Sequence, residues 1–296
     1  DLATVRSRLK LYNIDTIRHC DSYPEQQIAE FLSLHNIQYI RGDRKILRGR
    51  ELDVVIESHN LAIEYCGLYW HSTAHQRNTP SYHAAKLKQC NDAGYRLITI
   101  FEDEWVDNQQ LVLNKIANIL KIDNRQVVYG RKTTVVNVSQ VAKKAFFDAY
   151  HIQGDGPGSI TLALSHAGQI VAMITFIKQK NDCFILNRYA TACSVPGGFS
   201  KLMSAFENQY NWKQIVSFAD LRWSEGGLYQ QMGFELDKKL SPDYYYVDTT
   251  NIKRIHKFNF RHSNLPNILG DRYNSSLSET ENTRRTNWFK SYNRNS

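Results

Sequence analysis

Apolar positions run almost unbroken over Leu52–Ile56 and again over Leu61–Cys66, with the polar residues Glu57–Asn60 between them. β-Branched residues followed by Ser-His-Asn predict two short strands and a tight turn. Upstream, Pro24–His35 carries Ile28, Phe31 and Leu32 at helical spacing, with Pro at the first helical position. Downstream, a helix from Ser81 to Ala93 closes on Gly94, a buried-type strand runs over Tyr95–Phe101, and Val106–Ile122 has the apolar spacing of a closing helix. Helix, hairpin, helix, strand and helix in that order predict an α/β sandwich with a small mixed sheet. Residues 2–14 predict a short basic helix, either a solvated amphipathic helix or the last helix of a helix-turn-helix module.

The second half alternates in the same way. A helix over Gln140–Tyr150, a Gly-rich turn at Gly154–Gly158, and strands Ile160–Ser165, Gln169–Ile177 and Cys183–Ala190 are expected. A helix over Phe199–Tyr210, a strand Gln214–Ala219 and a Tyr-rich strand Tyr244–Val247 complete that unit. Composition shifts suggest four segments: 1–19, 20–122, 126–250 and 251–296. The last carries nine Lys/Arg against three Asp/Glu, interleaved with Phe258, Phe260, Tyr273, Trp288, Phe289 and Tyr292. Such a segment suits phosphate contacts with base stacking, or else wraps back with its aromatics as core anchors.

Into the apolar hairpin the sequence sets Asp53 and Glu64, with His71 shortly after. Charged side chains in a mostly buried strand are costly unless paired or bound to metal. Two carboxylates on neighbouring strands can share a hard divalent cation, which takes oxygen ligands and keeps several waters. A metal-activated water beside a general base attacks phosphodiesters. The bland alternative is an edge hairpin whose acids face water. Glu25, on the first turn of its helix, either stabilises the helix N-terminus or points at this site. His83 and Lys86 lie three apart on one helix and are neighbours. Residues 41–50, with five Lys/Arg, one Asp, Gly42 and Gly49, are expected to form a flexible loop, either phosphate-gripping or simply solvated. The loop Asp220–Glu225 either caps its sheet or contacts DNA.

Net charge is +8 over 296 residues, which favours a polyanionic partner. Hydrophobic content of 42% and charged content of 22% suit a globular chain with room for two domains, each with its own core. No apolar run is long enough to span a bilayer, and no leader is expected. Five scattered cysteines without a CxxC pair support neither a zinc knuckle nor a disulfide framework.

Residues 23–105 resemble the very-short-patch mismatch-repair endonucleases and the phage homing endonucleases of the same core, within the PD-(D/E)xK superfamily. Pro24-Glu25, Asp53, the Gly67-x-x-Trp70-His71 run and the strand ending IFEDEW carry the resemblance, in order and spacing. It implies a restriction-endonuclease-like α/β/α core and catalytic roles for Glu25, Asp53 and His71. Tyr65 falls at the family's variable position, and its backbone would join Asp53 and Glu64 around Mg²⁺ or Mn²⁺. His83 stands where the family has an acid. Cys66 stands at the usual Lys position, and Lys86 could replace that charge. Residues 126–250 are similar to the GNAT acyltransferase fold through strand–helix order and the segment EGGLYQQMGFE. Its cofactor loop, here Ser194-Val195-Pro196-Gly197-Gly198-Phe199, matches poorly, so acetyl-CoA is not expected.

These readings imply a metal-dependent endonuclease acting on double-stranded DNA, as monomer or homodimer and without a membrane, encoded by a phage and working in the host cytoplasm. The expected DNA contacts are Arg44, Lys45, Arg48, Arg50, Lys253, Arg254, Lys257, Arg261, Arg284 and Arg285. Rival readings are a mismatch or structure-specific repair nuclease, an acyl-CoA-dependent modifying enzyme, and a catalytically dead DNA-binding protein.

Overall fold

The structure is a computed structural model that describes residues 22–69, 72, 80–122, 124–224, 226–240, 243–248 and 252–292, with the backbone alone at 80–84 and 292. The helix expected over 2–14 lies outside the described residues. No described helix is long and apolar enough to cross a membrane.

The first part of the chain folds as α1 (Tyr23–Leu34), β1 (Ile40–Leu47), β2 (Arg50–Ile56), β3 (Leu61–Cys66), α2 (Pro80–Asp92), β4 (Arg96–Phe101) and α3 (Glu102–Ile119). Strand order is β1-β2-β3-β4; the first three pair antiparallel, and α2 carries the chain across so that β4 runs parallel to β3. The turn between β2 and β3 ends on Asn60 at φ 47, a left-handed position that Asn tolerates. Alternation along the strands sorts side chains to two faces. Val54, Ile56, Leu61, Ile63, Ile98 and Ile100 pack with Ile28 and Leu32 of α1 and Trp105, Val112 and Ile116 of α3. Leu52, Val55, Ala62 and Leu97 pack on the other face with Cys90 of α2. This is an α/β/α sandwich, as expected.

Two boundaries differ from expectation. Residues 41–50 form the edge strand β1 and its turn rather than a flexible loop. Asp43 is buried, and its Oδ1 accepts the backbone N–H of Lys45 at 3.0 Å and of Ile46 at 2.9 Å. That local turn lets Leu47 reach the core while Arg44 and Lys45 stay in solvent. The charges on an edge strand mask its period. The closing helix also starts four residues early, at Glu102, because three acids suit its positive N-terminal end.

The middle of the chain forms a five-stranded sheet of β5 (Thr134–Val136), β6 (Ile160–His166), β7 (Gln169–Lys178), β8 (Cys183–Thr191) and β9 (Gln214–Ser217). All neighbours are antiparallel except β8 and β9, which are joined through α5 (Gly198–Gln209). Phe176, Phe184 and Phe206 centre one face of this sheet, and Phe147 of α4 (Gln140–Tyr150) packs on the other. The short helix α6 (Gly227–Gln231) follows β9.

The Tyr-rich strand does not complete that sheet. β10 (Tyr244–Asp248) lies instead between β11 (Lys253–His256) and β12 (Trp288–Tyr292), with α7 (Leu265–Leu269) and α8 (Glu279–Arg285) between the last two strands. Tyr246, Phe260, Leu265, Leu269 and Trp288 make a core of their own. Phe260 and Trp288 are therefore anchors of a small folded unit.

Candidate active site

The site is assembled at the ends of β2 and β3. The pairing Val54–Ile63, carried one residue further, sets Asp53 opposite Glu64. Glu64 is 2% exposed. It shares its strand face with Ala62, which belongs to the cluster against α2. From α2 the Lys86 ammonium, itself buried, reaches the Glu64 carboxylate as an ion pair. A buried carboxylate is costly alone, and Lys86 is the counter-charge for it.

Asp53 Oδ2 accepts the N–H of Tyr65 at 2.8 Å, which fixes the carboxyl against the neighbouring strand. Burial pushes the Asp53 carboxyl well above the usual carboxylate range, and the charges of Glu64 and Glu25 push it further. The Tyr65 N–H and the Lys86 ammonium pull the other way without offsetting this. Glu25 is half-buried on the first turn of α1 and accepts a hydrogen bond from the Ser22 hydroxyl at 2.7 Å. Its charge also acts on Tyr65, whose phenol is driven upward mainly by burial. Four expected site residues, Glu25, Asp53, Glu64 and Lys86, thus come together with Tyr65. His71 lies outside the described residues; of His83 only the backbone in α2 is described, one turn before Lys86.

Among the described residues, no three His, Cys, Asp or Glu side chains are placed to hold a metal ion by themselves. The donor set still fits Mg²⁺, which is bound through one or two carboxylates and keeps its waters. Asp53 and Glu64 are such a pair, and the surplus of acid around Asp53 is what a cation would relieve. Cys66 is fully buried against Leu68, Phe101 and Val247. It is a core residue, and the site's ammonium comes from Lys86.

The acids that open α3 each have a separate task, which the sequence did not disclose. Glu102 accepts the Leu68 N–H at 2.7 Å and so ties down the turn that follows β3. Asp103 takes the Arg254 guanidinium at 2.8 and 2.9 Å. Glu104 is gripped by Arg222 at 3.0 Å through each oxygen and by Arg254 at 2.9 Å. Burial alone would raise the Glu104 carboxyl; the two guanidiniums outweigh it and hold it down at about 2. Asp220 completes the set with a 2.6 Å contact to Arg222, and Arg222 also donates to the Thr99 carbonyl at 3.2 Å.

This network corrects two expectations. Arg254, expected to contact DNA, is buried in ion pairs, with its guanidinium 3.7 Å from the Phe101 ring centroid. The Asp220–Glu225 loop neither merely caps its sheet nor faces DNA at Arg222, which is 2% exposed and locked to α3. The other expected DNA contacts lie nearer the surface. Arg44, Lys45, Arg48, Lys253, Arg261, Arg284 and Arg285 are exposed, while Arg50 and Lys257 are half-buried. Arg44 pairs with Glu51, and Lys257 with Asp243 at 2.7 Å.

The loop Ser194–Gly198, at the head of α5, is tied through its backbone to Gln126–Gly130, while Ser194, Val195 and Pro196 line an open cleft with Lys121, Arg125 and Tyr189. Val128 donates to the Ser194 carbonyl at 2.8 Å, Gly130 to the Pro196 carbonyl at 2.8 Å, and Ser194 to the Gln126 carbonyl at 3.0 Å. A Cβ on Gly130 would fall 2.8 Å from the Gly197 backbone, so the approach requires glycine.

No family model matches the chain, and no curated protein does. Among solved structures, the catalytic domain of the homing endonuclease I-Bth0305I is similar at 26% identity, over 35% of this chain and 98% of that one, with a TM-score of 0.29. A TM-score of that size carries no argument about fold or activity.

Proposed function

We propose that the chain is a metal-dependent DNA endonuclease that hydrolyses phosphodiester bonds in double-stranded DNA, of the site-specific homing type. The observation that carries this reading is the gathering of Glu64 and Glu25 about Asp53, with the Lys86 ammonium paired to Glu64. Stability alone does not call for three acids at the mouth of an apolar hairpin. A bound Mg²⁺ or Mn²⁺ would supply Lewis-acid polarisation of the phosphoryl group and a more acidic water.

The protein's own groups have distinct parts. Asp53 and Glu64, with the Tyr65 backbone, would hold the cation. Lys86 restrains Glu64 and offsets negative charge that develops on the phosphoryl oxygens. Glu25 would orient a water at the Asp53 carboxyl. His71 is assigned proton transfer, to or from the reacting oxygens, because imidazole titrates near neutrality; His83 would support it from α2.

In the same reading, residues 20–122 are the catalytic domain, and residues 126–250 and 251–296 extend its grip on the duplex. The β1–β2 hairpin, with Arg44, Lys45, Arg48 and Arg50, would carry phosphate contacts next to Asp53. Lys253, Lys257, Arg261, Arg284 and Arg285 would add others from the C-terminal segment.

The test is incubation of the full chain with phage genomic DNA or plasmid in Mg²⁺, Mn²⁺ or EDTA. Metal-dependent cutting, abolished in both Asp53→Ala and His71→Ala, is expected. Undiminished cutting by both variants would overturn the assigned site.

A further inference from the structure

β11 runs directly into a single 3-10 turn, Lys257–Phe260, whose two phenylalanines differ in burial. Phe260 is fully buried, whereas Phe258 is 56% exposed. The exposed ring is nevertheless held in place. His256 Nδ1 accepts the Phe258 N–H at 3.3 Å, and the His256 ring stacks on Phe258 with centroids 4.9 Å apart and planes 26° apart. The Arg261 guanidinium lies 4.6 Å from the Phe258 centroid and the Lys257 ammonium 5.8 Å from it. Among the described residues, no other exposed apolar side chain has cations from two residues over its ring.

An immobilised ring in water contributes nothing to the core it has left. The sequence around it has one sign of charge: residues 252–262 contain Lys253, Arg254, Lys257 and Arg261 and no acid. Asp243 balances Lys257 at 2.7 Å and lies 3.4 Å from His256. Arg261 has no ion pair among the described residues. An apolar ring fringed by cations is complementary to a nucleotide, whose base has a flat π-face and whose phosphate takes the charge. A fully paired, stacked duplex hides its base faces, so such a ring needs a base that has left its stack.

We propose that Phe258 is a stacking platform for an unpaired base of a DNA strand, with Arg261 and Lys257 on the flanking phosphates. This deepens the reading of the C-terminal unit as a DNA-gripping element and rests on it. It adds that this unit engages single-stranded or locally opened DNA.

The test is metal-free binding of the full chain, in EDTA, to a fluorescein-labelled thymidine 20-mer and to a fully paired duplex of equal length. Phe258→Ala is expected to bind the single strand roughly 5- to 100-fold more weakly, with Phe258→Trp within about twofold of the native chain. Duplex binding should change little in either variant, and thermal unfolding should be unaltered because the ring is outside the core. Arg261→Ala should flatten the salt dependence of single-strand binding by about 0.7 in log–log slope. Equal single-strand affinity for the native chain and Phe258→Ala, or no single-strand binding by either, would overturn the proposal. Because EDTA removes catalysis, failure of the nuclease reading appears separately, as absence of cleavage in Mg²⁺.

Discussion

Lys86 on α2 and Glu64 on β3 form an ion pair inside the protein, with both side chains withdrawn from solvent. The pair bridges the helix layer and the sheet at the point where Asp53 is held. Removing Lys86 takes from the buried Glu64 carboxylate the ammonium it is paired with. Lys86→Met is therefore expected to cost about 3 kcal/mol or more of folding stability. It should also lower the rate of DNA cleavage by roughly 100-fold, as expected for loss of one charge-stabilising group. Adding Glu64→Gln should recover much of the stability, measured by urea unfolding, but none of the cleavage. Recovery of both together would assign the pair a structural role only.

Asp53 gives a prediction of opposite sign. Its carboxyl is raised by burial and by neighbouring acids, so the folded state prefers it protonated. A carboxyl raised on folding stabilises the protein at low pH, and that contribution is lost as pH rises through the folded-state pKa. In EDTA near neutral pH, Asp53→Asn should thus raise the thermal midpoint, because the amide can still accept the Tyr65 N–H without bearing charge. The advantage should shrink on acidification toward the unfolded value of 3.8. Mg²⁺ should stabilise the native chain and leave Asp53→Asn unchanged. Scanning calorimetry at two pH values, with and without Mg²⁺, checks all of these outcomes.

Glu104 behaves in the reverse way. Arg222 and Arg254 depress it from 4.5 to about 2, so the stability it contributes is complete above 4.5 and lost as pH falls toward 2. Arg222→Met should cost about 3–5 kcal/mol. It should also shrink the loss of stability between pH 4.5 and about 2, because without its principal counter-charge Glu104 is no longer held as far below its unfolded value. An unchanged acid transition, followed by circular dichroism, would show that the clamp does not hold the units together.

The hairpin and its acids were legible because nearly unbroken apolar runs and β-branching over residues 52–66 are local signals, and carboxylates among them stand out. Glu64 and Lys86 could be suspected from their surroundings, since a buried acid needs a partner. β1 was not legible: its charged face and the turn organised by Asp43 look like a loop until the neighbouring strand is known. The Arg222–Glu104–Arg254 clamp had no local signal, because its members come from α3, the loop after β9 and β11. Arg254 looked like one more member of a basic series, and only tertiary packing separates it from Arg261. The Tyr-rich strand was recognised as a strand, but pairing partners depend on the rest of the fold.

The most direct test of the metal-centre reading joins two measurements on one preparation of Asp53→Asn, namely DNA affinity and strand cleavage in Mg²⁺. Affinity within about twofold of the native chain and cleavage lowered by at least roughly 100-fold are predicted, because the variant keeps the basic surface and loses the ligand. Cleavage at the native rate by a variant that binds DNA normally would contradict the account.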